Sequence, residues 1–501
     1  MNISELLQYI PEIFQTALKN IGLQLVYDPK APMLFSSGLF WMLFLIFLPI
    51  YSLVKGSKWK MVVFVVLFSL YFYYKSSGLF FLMLIGTSLV DWGLSHWIYR
   101  IEKRGGKLAV MWLSILISLS ILGYFKYANF FLWNWNQMVE GNFQPLEIIL
   151  PVGISFYTFQ SISYIVDVYK GRISPTRYWI DYLFFLSFFP ALVAGPIVRA
   201  DYFLPQIEKN ERPDSRVIWA GLWLIIVGVV KKALIADYIA QYNDLIFNEP
   251  SLYTGVQTLM GVLGYTMQIY CDFSGYSDMA IGLALIMGFR LGINFDSPYK
   301  SRNLTDFWRR WHISLSSWLR DYVYIPLGGN RKGTFRTYLN NFLTMLIGGL
   351  WHGAAWKFIF WGAMHGVGLA IHKAFKPILV KIPDNWFTIF ISWLLTFVYV
   401  SLLWVFFRAA DFEQSVLIIQ NIFVDFDWRQ IPQFIEARPA WCAMMFALIV
   451  FHFFPHKWTV AVQWAFIRIN WVVKLIIFIL AVQLVIEFMA EEVSPFIYFQ
   501  F

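Results

Sequence analysis

The residues best suited to chemistry are two histidines, a terminal tyrosine and a knot of basic side chains. His352 stands in "LIGGLWHGAAW", an apolar run in which Gly349 and Gly353 allow a neighbouring helix to approach closely. An ionisable side chain is costly at membrane depth, so its presence there points first to function. Neutral imidazole in that setting is a general base, able to take a proton from an attacking hydroxyl. A histidine hydrogen-bonded across two helices would leave the same trace. His365, in "WGAMHG", has a similar setting with less to set it apart.

Upstream, residues 306–336 read "DFWRRWHISLSSWLRDYVYIPLGGNRKGTFR". Trp308, His312, Leu315 and Leu319 recur at helical spacing, while Arg309, Arg310 and Arg320 fall largely elsewhere. This predicts one amphipathic helix at the membrane interface, with its tryptophans in the headgroup zone. The glycine-rich "GGNRKG" then adds Arg331 and Lys332. A face carrying Arg309, Arg310, Arg331 and Lys332 suits a donor with phosphates, such as coenzyme A or the phosphopantetheine arm of an acidic carrier protein. The same charges also satisfy the positive-inside rule and the binding of lipid.

The elements that must position these residues are legible in the composition. Of 501 residues, 59% are hydrophobic, 20% aromatic and 14% charged, which excludes a soluble globular protein and implies an all-α polytopic membrane protein. Apolar stretches begin near Leu34, Met61, Gly78, Val110, Ile148, Tyr178, Val217, Gly255, Asp278, Tyr338, Ala355, Trp386, Ala440 and Trp471. Several are short or broken by Gly and Pro, so the expectation is about ten to twelve crossings with re-entrant or interfacial pieces. The net charge of +9 lies in short basic clusters between apolar runs, as cytoplasmic loops do, and nucleic acid is not the expected partner. The clearest loops are "KGSKWK" (55–60) and "RIEKRGGK" (100–107), with "YKGR" (169–172) and "KK" (231–232) as further candidates. Lys457, Arg468 and Lys474 precede the last apolar run and Glu487, Glu491 and Glu492 follow it, which directs the C-terminus outward. Cys271 and Cys442 read as packing residues, not as a disulfide.

Residues 1–33 read as an N-terminal interfacial segment, amphipathic over the first 25, with no pattern of a cleavable signal. One membrane domain spans 34–490. The tail 491–501, "EEVSPFIYFQF", ends on Tyr498 among aromatics, the usual setting of an interfacial anchor.

Three stretches, "DFSGYSDMAIGLALIMGF", "DFWRRWHISLSSWLRDYVYIPLGGNRKG" and "LIGGLWHGAAW", closely resemble the membrane-bound O-acyltransferase family. The bacterial branch resembled most is that of the alginate O-acetyltransferase membrane subunit, with its relative in D-alanylation of teichoic acids. "LGYFKYANFF" (122–131) and "LPVGISFYTFQSISYIVDVY" (150–169) match the same branch, and the resemblance runs from about Phe35 to the terminus. It implies a ring of helices around a thin core, with opposed funnels meeting near an essential histidine in the "LWHG" position, His352. It places a second functional polar residue in "WRRWH", His312. An acyl thioester would enter from the cytoplasm and the acceptor would be served from the other side.

The terminal "FIYFQF" resembles the aromatic motif of the small peptide subunit of D-alanylation systems, whose tyrosine is proposed to relay the acyl group; here it is fused to the last helix. A thiol has a pKa of about 8.5 and a phenol about 10, with sugar alcohols higher still. Transfer from thioester to aryl ester to alkyl ester therefore runs downhill in leaving-group quality. Tyr498 would attack the thioester as His352 takes its proton.

The expected function is thus an O-acyltransferase of a bacterial plasma (inner) membrane, moving an acyl group, acetyl first, to an extracytoplasmic polysaccharide. The resembled systems imply a secreted or anchored SGNH/esterase-like partner transferase. Acetyl-CoA or acyl carrier protein would be the donor, without a tightly bound cofactor or metal. His452 and His456 in "HFFPH" lack a further ligand and a HExxH glutamate, and Asp272 and Asp278 read as structural hydrogen-bonding groups near the core. A transporter or flippase for a lipid-linked sugar is the rival class, since buried charges and broken helices suit it too.

Overall fold

The computed structural model describes residues 24–488 and Gly22, so most of the N-terminal amphipathic segment and the Tyr498 tail lie outside the described residues. Among the described residues every regular element is a helix, in keeping with the apolar runs. Five helical runs are long and apolar enough to cross a membrane: Lys58–Arg100, Arg104–Val139, Ser215–Asn248, Trp386–Arg408 and Trp471–Phe488. A sixth is Trp428–Ala437 with Pro439–Phe453, if that pair, bent by 104°, is one span. The first run is in fact two 20-residue helices, Lys58–Ser77 and Phe81–Arg100, separated at Gly78, whose φ of +60° is in the region that favours glycine.

Ten to twelve crossings exceed that count because the inner helices are too polar or too broken to pass on composition. Gly255–Ile286 is 32 residues long and starts with a capping box from Thr254 and Gln257. It carries Asp272, Ser274, Ser277 and Asp278 and is mostly buried by its neighbours. Trp179–Ser187 and Phe189–Leu192 are two short pieces, wholly buried from Asp181 to Leu192.

Close crossings bring these helices together. Where Ser215–Val229 meets Gly255–Ile286, a Cβ on Gly228 would sit 2.5 Å from the carbonyl oxygen of Gly275, and one on Gly275 would lie 2.8 Å from that of Gly228. Only hydrogen fits at that contact.

Two expectations change here. "KK" at 231–232 is not a loop but part of a π-helical segment, Val230–Ala236, inside the Ser215–Asn248 run. Lys231 pairs with Asp278 at 2.7 Å, and Lys232 bridges Asp237 at 2.7 Å and Asp272 at 2.5 Å. Lys232 is buried with its carboxylates, while Lys231 and Asp278 pair at a partly exposed position, so both lysines sit within the helical run and not in a loop.

The second change concerns residues 308–319, which are not one helix. Leu304–Arg310 and Ile313–Leu319 are separate, and between them His312 has a φ of +43°. Trp311 and Trp318 are buried, not set in a headgroup layer. The break is held from outside: Asp296 N donates to Arg310 O (3.0 Å) and Ile313 N to Asn294 O (2.9 Å). Backbone pairing to the 294–296 segment competes successfully with helical continuation, and histidine is among the side chains that tolerate this conformation.

Candidate active site

His352 is the last residue of the helix Thr334–His352, and the chain turns extended at Gly353 before the next helix, Trp356–Leu379. The two helices touch at Gly349 and Gly362, where a Cβ on either would lie about 3 Å from the other's Cα (3.0 and 2.9 Å). The expected close approach at Gly349 is therefore real.

A helix C-terminus leaves its last carbonyls without intrahelical donors and carries the negative end of the helix dipole. Here side chains from a distant segment answer them. Within the Arg104–Val139 run, Gly123–Tyr127 is a π-helical turn. From it Lys126 Nζ donates to Trp351 O (2.7 Å) and His352 O (2.9 Å), and Tyr127 Oη donates to Leu350 O (2.7 Å). Three consecutive carbonyls are thereby satisfied. The wider π turn aims two successive side chains at one helix end, a use for which such turns are known at functional sites. Sequence reasoning singled out "LGYFKYANFF" as a motif yet assigned Lys126 and Tyr127 no role. A lysine inside an apolar run was the signal that could have found them.

Around His352 the packing is aromatic. Its ring lies edge-on to Trp361 (5.1 Å between centroids) and Phe407 (5.2 Å) and 5.0 Å from Trp351. Trp351 is in turn 6.0 Å from His312, so one indole touches both histidines. His312 is fully buried and lies edge-on to Phe273 at 4.6 Å. The structure thus brings the two candidate catalytic histidines together, about 40 residues apart in sequence, across a single ring. Trp351 is fixed from behind by the helix Ile154–Tyr169, through Ser155 O (3.3 Å) and the rings of Phe156 and Phe159.

His352 also forms part of the wall of a cavity of about 100 Å³ lined by Lys126, the 150–156 segment, Val193 and Trp351. It has room for a few water molecules or a small acyl group. A buried imidazole at the edge of such a space can exchange a proton with a bound hydroxyl.

Asn294 positions His312. Buried, it accepts from Ser314 N (3.2 Å) and Ser314 Oγ (2.9 Å) and donates to Ser277 Oγ (3.2 Å), tying the broken segment to Gly255–Ile286. Asn294→Ala is expected to cost about 1–3 kcal/mol of stability, since buried polar partners lose their mate. It should also lower turnover more than donor KM, because His312 would lose its register. Thermal unfolding and steady-state kinetics on the same preparation check both.

His365 lies one ring further out, 4.7 Å from Trp361, where its Nδ1 accepts from Trp308 Nε1 at 3.3 Å. That is the cross-helix hydrogen bond of a structural histidine. His452 Nε2 accepts from Tyr299 N (3.1 Å), while His456 is exposed at the start of the following helix. Among the described residues no group of His, Cys, Asp and Glu is arranged to hold a metal ion.

The four basic candidates divide. Arg309, Arg331 and Lys332 are exposed, the last two in a turn anchored by Asn340 Nδ2 to Gly329 O (2.9 Å). Arg310 is held by Asp306 (3.0 Å) and Asp296 (3.4 Å), which makes it a brace for the broken segment. A further basic cluster joins Lys170 and Arg172 of "YKGR" to Arg199 and Arg320, a meeting that the sequence does not show. Arg199 pairs with Asp321 (3.2 Å) and lies 4.4 Å over the ring of Tyr322, with Arg320 on the same carboxylate at 2.8 Å. Tyr322 donates to Asp167 (2.6 Å), which also holds Arg172 (3.0 Å), and Lys170 lies 5.7 Å over the same ring. Three arginines share two carboxylates, and Lys170 joins them over the Tyr322 ring. The cluster gathers where the π turn Arg320–Tyr324 meets the end of Ile154–Tyr169, so no local run of sequence contains it.

Comparison with known proteins identifies the family. The model of the membrane-bound O-acyltransferase family matches residues 178–410. A probable alginate O-acetylase, AlgI, of Pseudomonas putida is 40% identical over 501 residues, covering 94% of this chain and 100% of that protein. A peptidoglycan O-acetyltransferase of Helicobacter pylori is 39% identical over 383 residues, 71% of this chain and 72% of its own. A teichoic acid D-alanyltransferase of Bacillus subtilis is 29% identical over 298 residues, 56% and 74% of the two chains. A 40% likeness sustained over 94% of the chain is family membership, and this multi-pass membrane enzyme belongs to the membrane-bound O-acyltransferase family.

Proposed function

We propose that the enzyme moves an acetyl group from a cytoplasmic thioester through the membrane, for O-acylation of an extracytoplasmic polysaccharide. The observation that carries this reading is His352, buried at a braced helix end yet forming part of a cavity wall. His352 is the general base, with His312 beside it across Trp351. The relatives' names support the acceptor class, since they carry alginate, peptidoglycan and teichoic acid.

The donor reading draws on the basic cluster. The helix Ile154–Tyr169 has the cavity at its start and Lys170, Arg172 and Arg199 near its end, on the face predicted to be cytoplasmic. Its 16 residues span about 24 Å at 1.5 Å per residue. A long thioester arm with phosphate at its far end, from coenzyme A or a carrier protein, suits that separation; Arg309, Arg331 and Lys332 extend the donor-side rim. In this proposal the chain lies in a bacterial inner membrane with its C-terminus outside, where an SGNH-type partner would complete transfer to the polymer.

Tyr498 is the acyl relay in this proposal. Its phenolic oxygen attacks the thioester carbonyl while His352 removes the proton, the thiolate leaves, and a tyrosyl ester forms. An acceptor hydroxyl then takes the acetyl group and the phenol is restored. Peptide mass spectrometry after incubation with a labelled acetyl donor tests it. Label on the C-terminal peptide of the wild type is expected, absent from both Tyr498→Phe and His352→Ala. Acceptor acetylation by Tyr498→Phe at the wild-type rate would mean direct transfer, with the tail an anchor.

A further inference from the structure

Away from the catalytic cavity, two membrane runs, Ser215–Asn248 and Trp471–Phe488, begin side by side. The helix His456–Arg468 leads into the second and leaves Trp458 and Trp464 exposed. Tryptophan at the start of a span belongs at headgroup depth. Between these elements lies a cavity of about 350 Å³, lined by Ser215, Arg216, Trp219, Trp464, Ile467 and Arg468.

Its chemistry is one-sided. Arg216 and Arg468 form no ion pair among the described residues. The nearby Asp214 is engaged in capping its helix, accepting from Val217 N at 2.8 Å. A third cation, Lys474, is 3% exposed; it lies 3.9 Å over the Trp219 ring and donates to Ile467 O at 3.0 Å. Two arginines therefore line a hollow with aromatic walls, and Lys474 adds its charge from behind the Trp219 ring. Beside it Val472, Leu475 and Ile479 are exposed along the span, an apolar flank running into the bilayer.

We propose that this hollow binds the phosphodiester headgroup of an anionic phospholipid, its acyl chains lying along the exposed face of Trp471–Phe488. Guanidinium groups offer paired donors that match phosphate oxygens, and basic pockets between spans at the membrane surface suit such headgroups. A soluble phosphate would use the cations but not the apolar flank, which is why the lipid is the favoured source.

Native mass spectrometry of the full chain, exchanged into equal phosphatidylglycerol and phosphatidylcholine, decides the matter. Wild type should retain phosphatidylglycerol in preference, and Arg216→Gln with Arg468→Gln should lose that preference about fivefold or more. The paired Arg→Lys variant, which keeps the charge and loses the guanidinium fork, should keep only part of it, while the control Arg331→Gln with Lys332→Gln should keep it. Unchanged preference in the Gln variant would overturn the site. So would equal retention of the two lipids by wild type, a result that holds even if the Gln variant fails to fold. Displacement of bound phosphatidylglycerol by millimolar glycerol phosphate would make it a site for free anions instead.

Discussion

His352→Gln is expected to lower acyl transfer by roughly 10²- to 10⁴-fold, the range over which a positioned general base contributes. Glutamine retains hydrogen-bonding capacity and much of the volume among Trp351, Trp361 and Phe407, but it cannot accept a proton at neutral pH. The fold should therefore survive where the chemistry does not. His352→Ala should match it in rate yet lose more stability, about 1–3 kcal/mol, because it empties space in a packed aromatic cluster. Transfer of labelled acetyl in reconstituted vesicles, beside thermal unfolding of each variant, separates the two effects. Near-wild-type transfer by a folded His352→Gln enzyme would remove the histidine from the mechanism.

Lys126→Met carries the second large effect, and its logic is positional. In the wild type the ammonium satisfies the carbonyls of Trp351 and His352 at the end of the histidine's helix. Methionine fills similar space and donates nothing, so two carbonyls in a buried setting lose their partner at a cost of about 1–3 kcal/mol. The last turn would then loosen, and a displacement on the order of 1 Å at the reacting group can cost 10²-fold. Turnover is expected to fall about 10- to 100-fold with little change in donor KM. Lys126→Arg should recover much of the rate, and Tyr127→Phe, which frees Leu350 O one residue earlier, should be milder. Wild-type turnover in Lys126→Met would show that the brace is dispensable.

Much of this protein is legible without its structure. Fourteen apolar stretches in a chain that is 59% hydrophobic imply helices in a membrane, because backbone groups in lipid must be satisfied within each segment. His352 stood out for the same reason: an ionisable side chain between glycines in an apolar run has few cheap explanations. Gly349 was readable too, since small residues mark close crossings.

What stayed hidden shares a different cause. The spacing of residues 308–319 fits one helix, and it breaks at His312 because Asn294 and Asp296, from an earlier segment, offer the backbone other partners. "KK" at 231–232 resembles a cytoplasmic loop until Asp272, Asp278 and Asp237 are seen facing it. Lys126 is 226 residues from the carbonyl it holds. Sequence alone determined the class and the membrane setting and singled out His352 as a candidate, because burial cost and hydrophobic period are local properties of a chain. Tertiary structure decided which cations are spent on carboxylates, where the helix breaks and what steadies the histidine, because each depends on a partner that packing supplies from a distant segment.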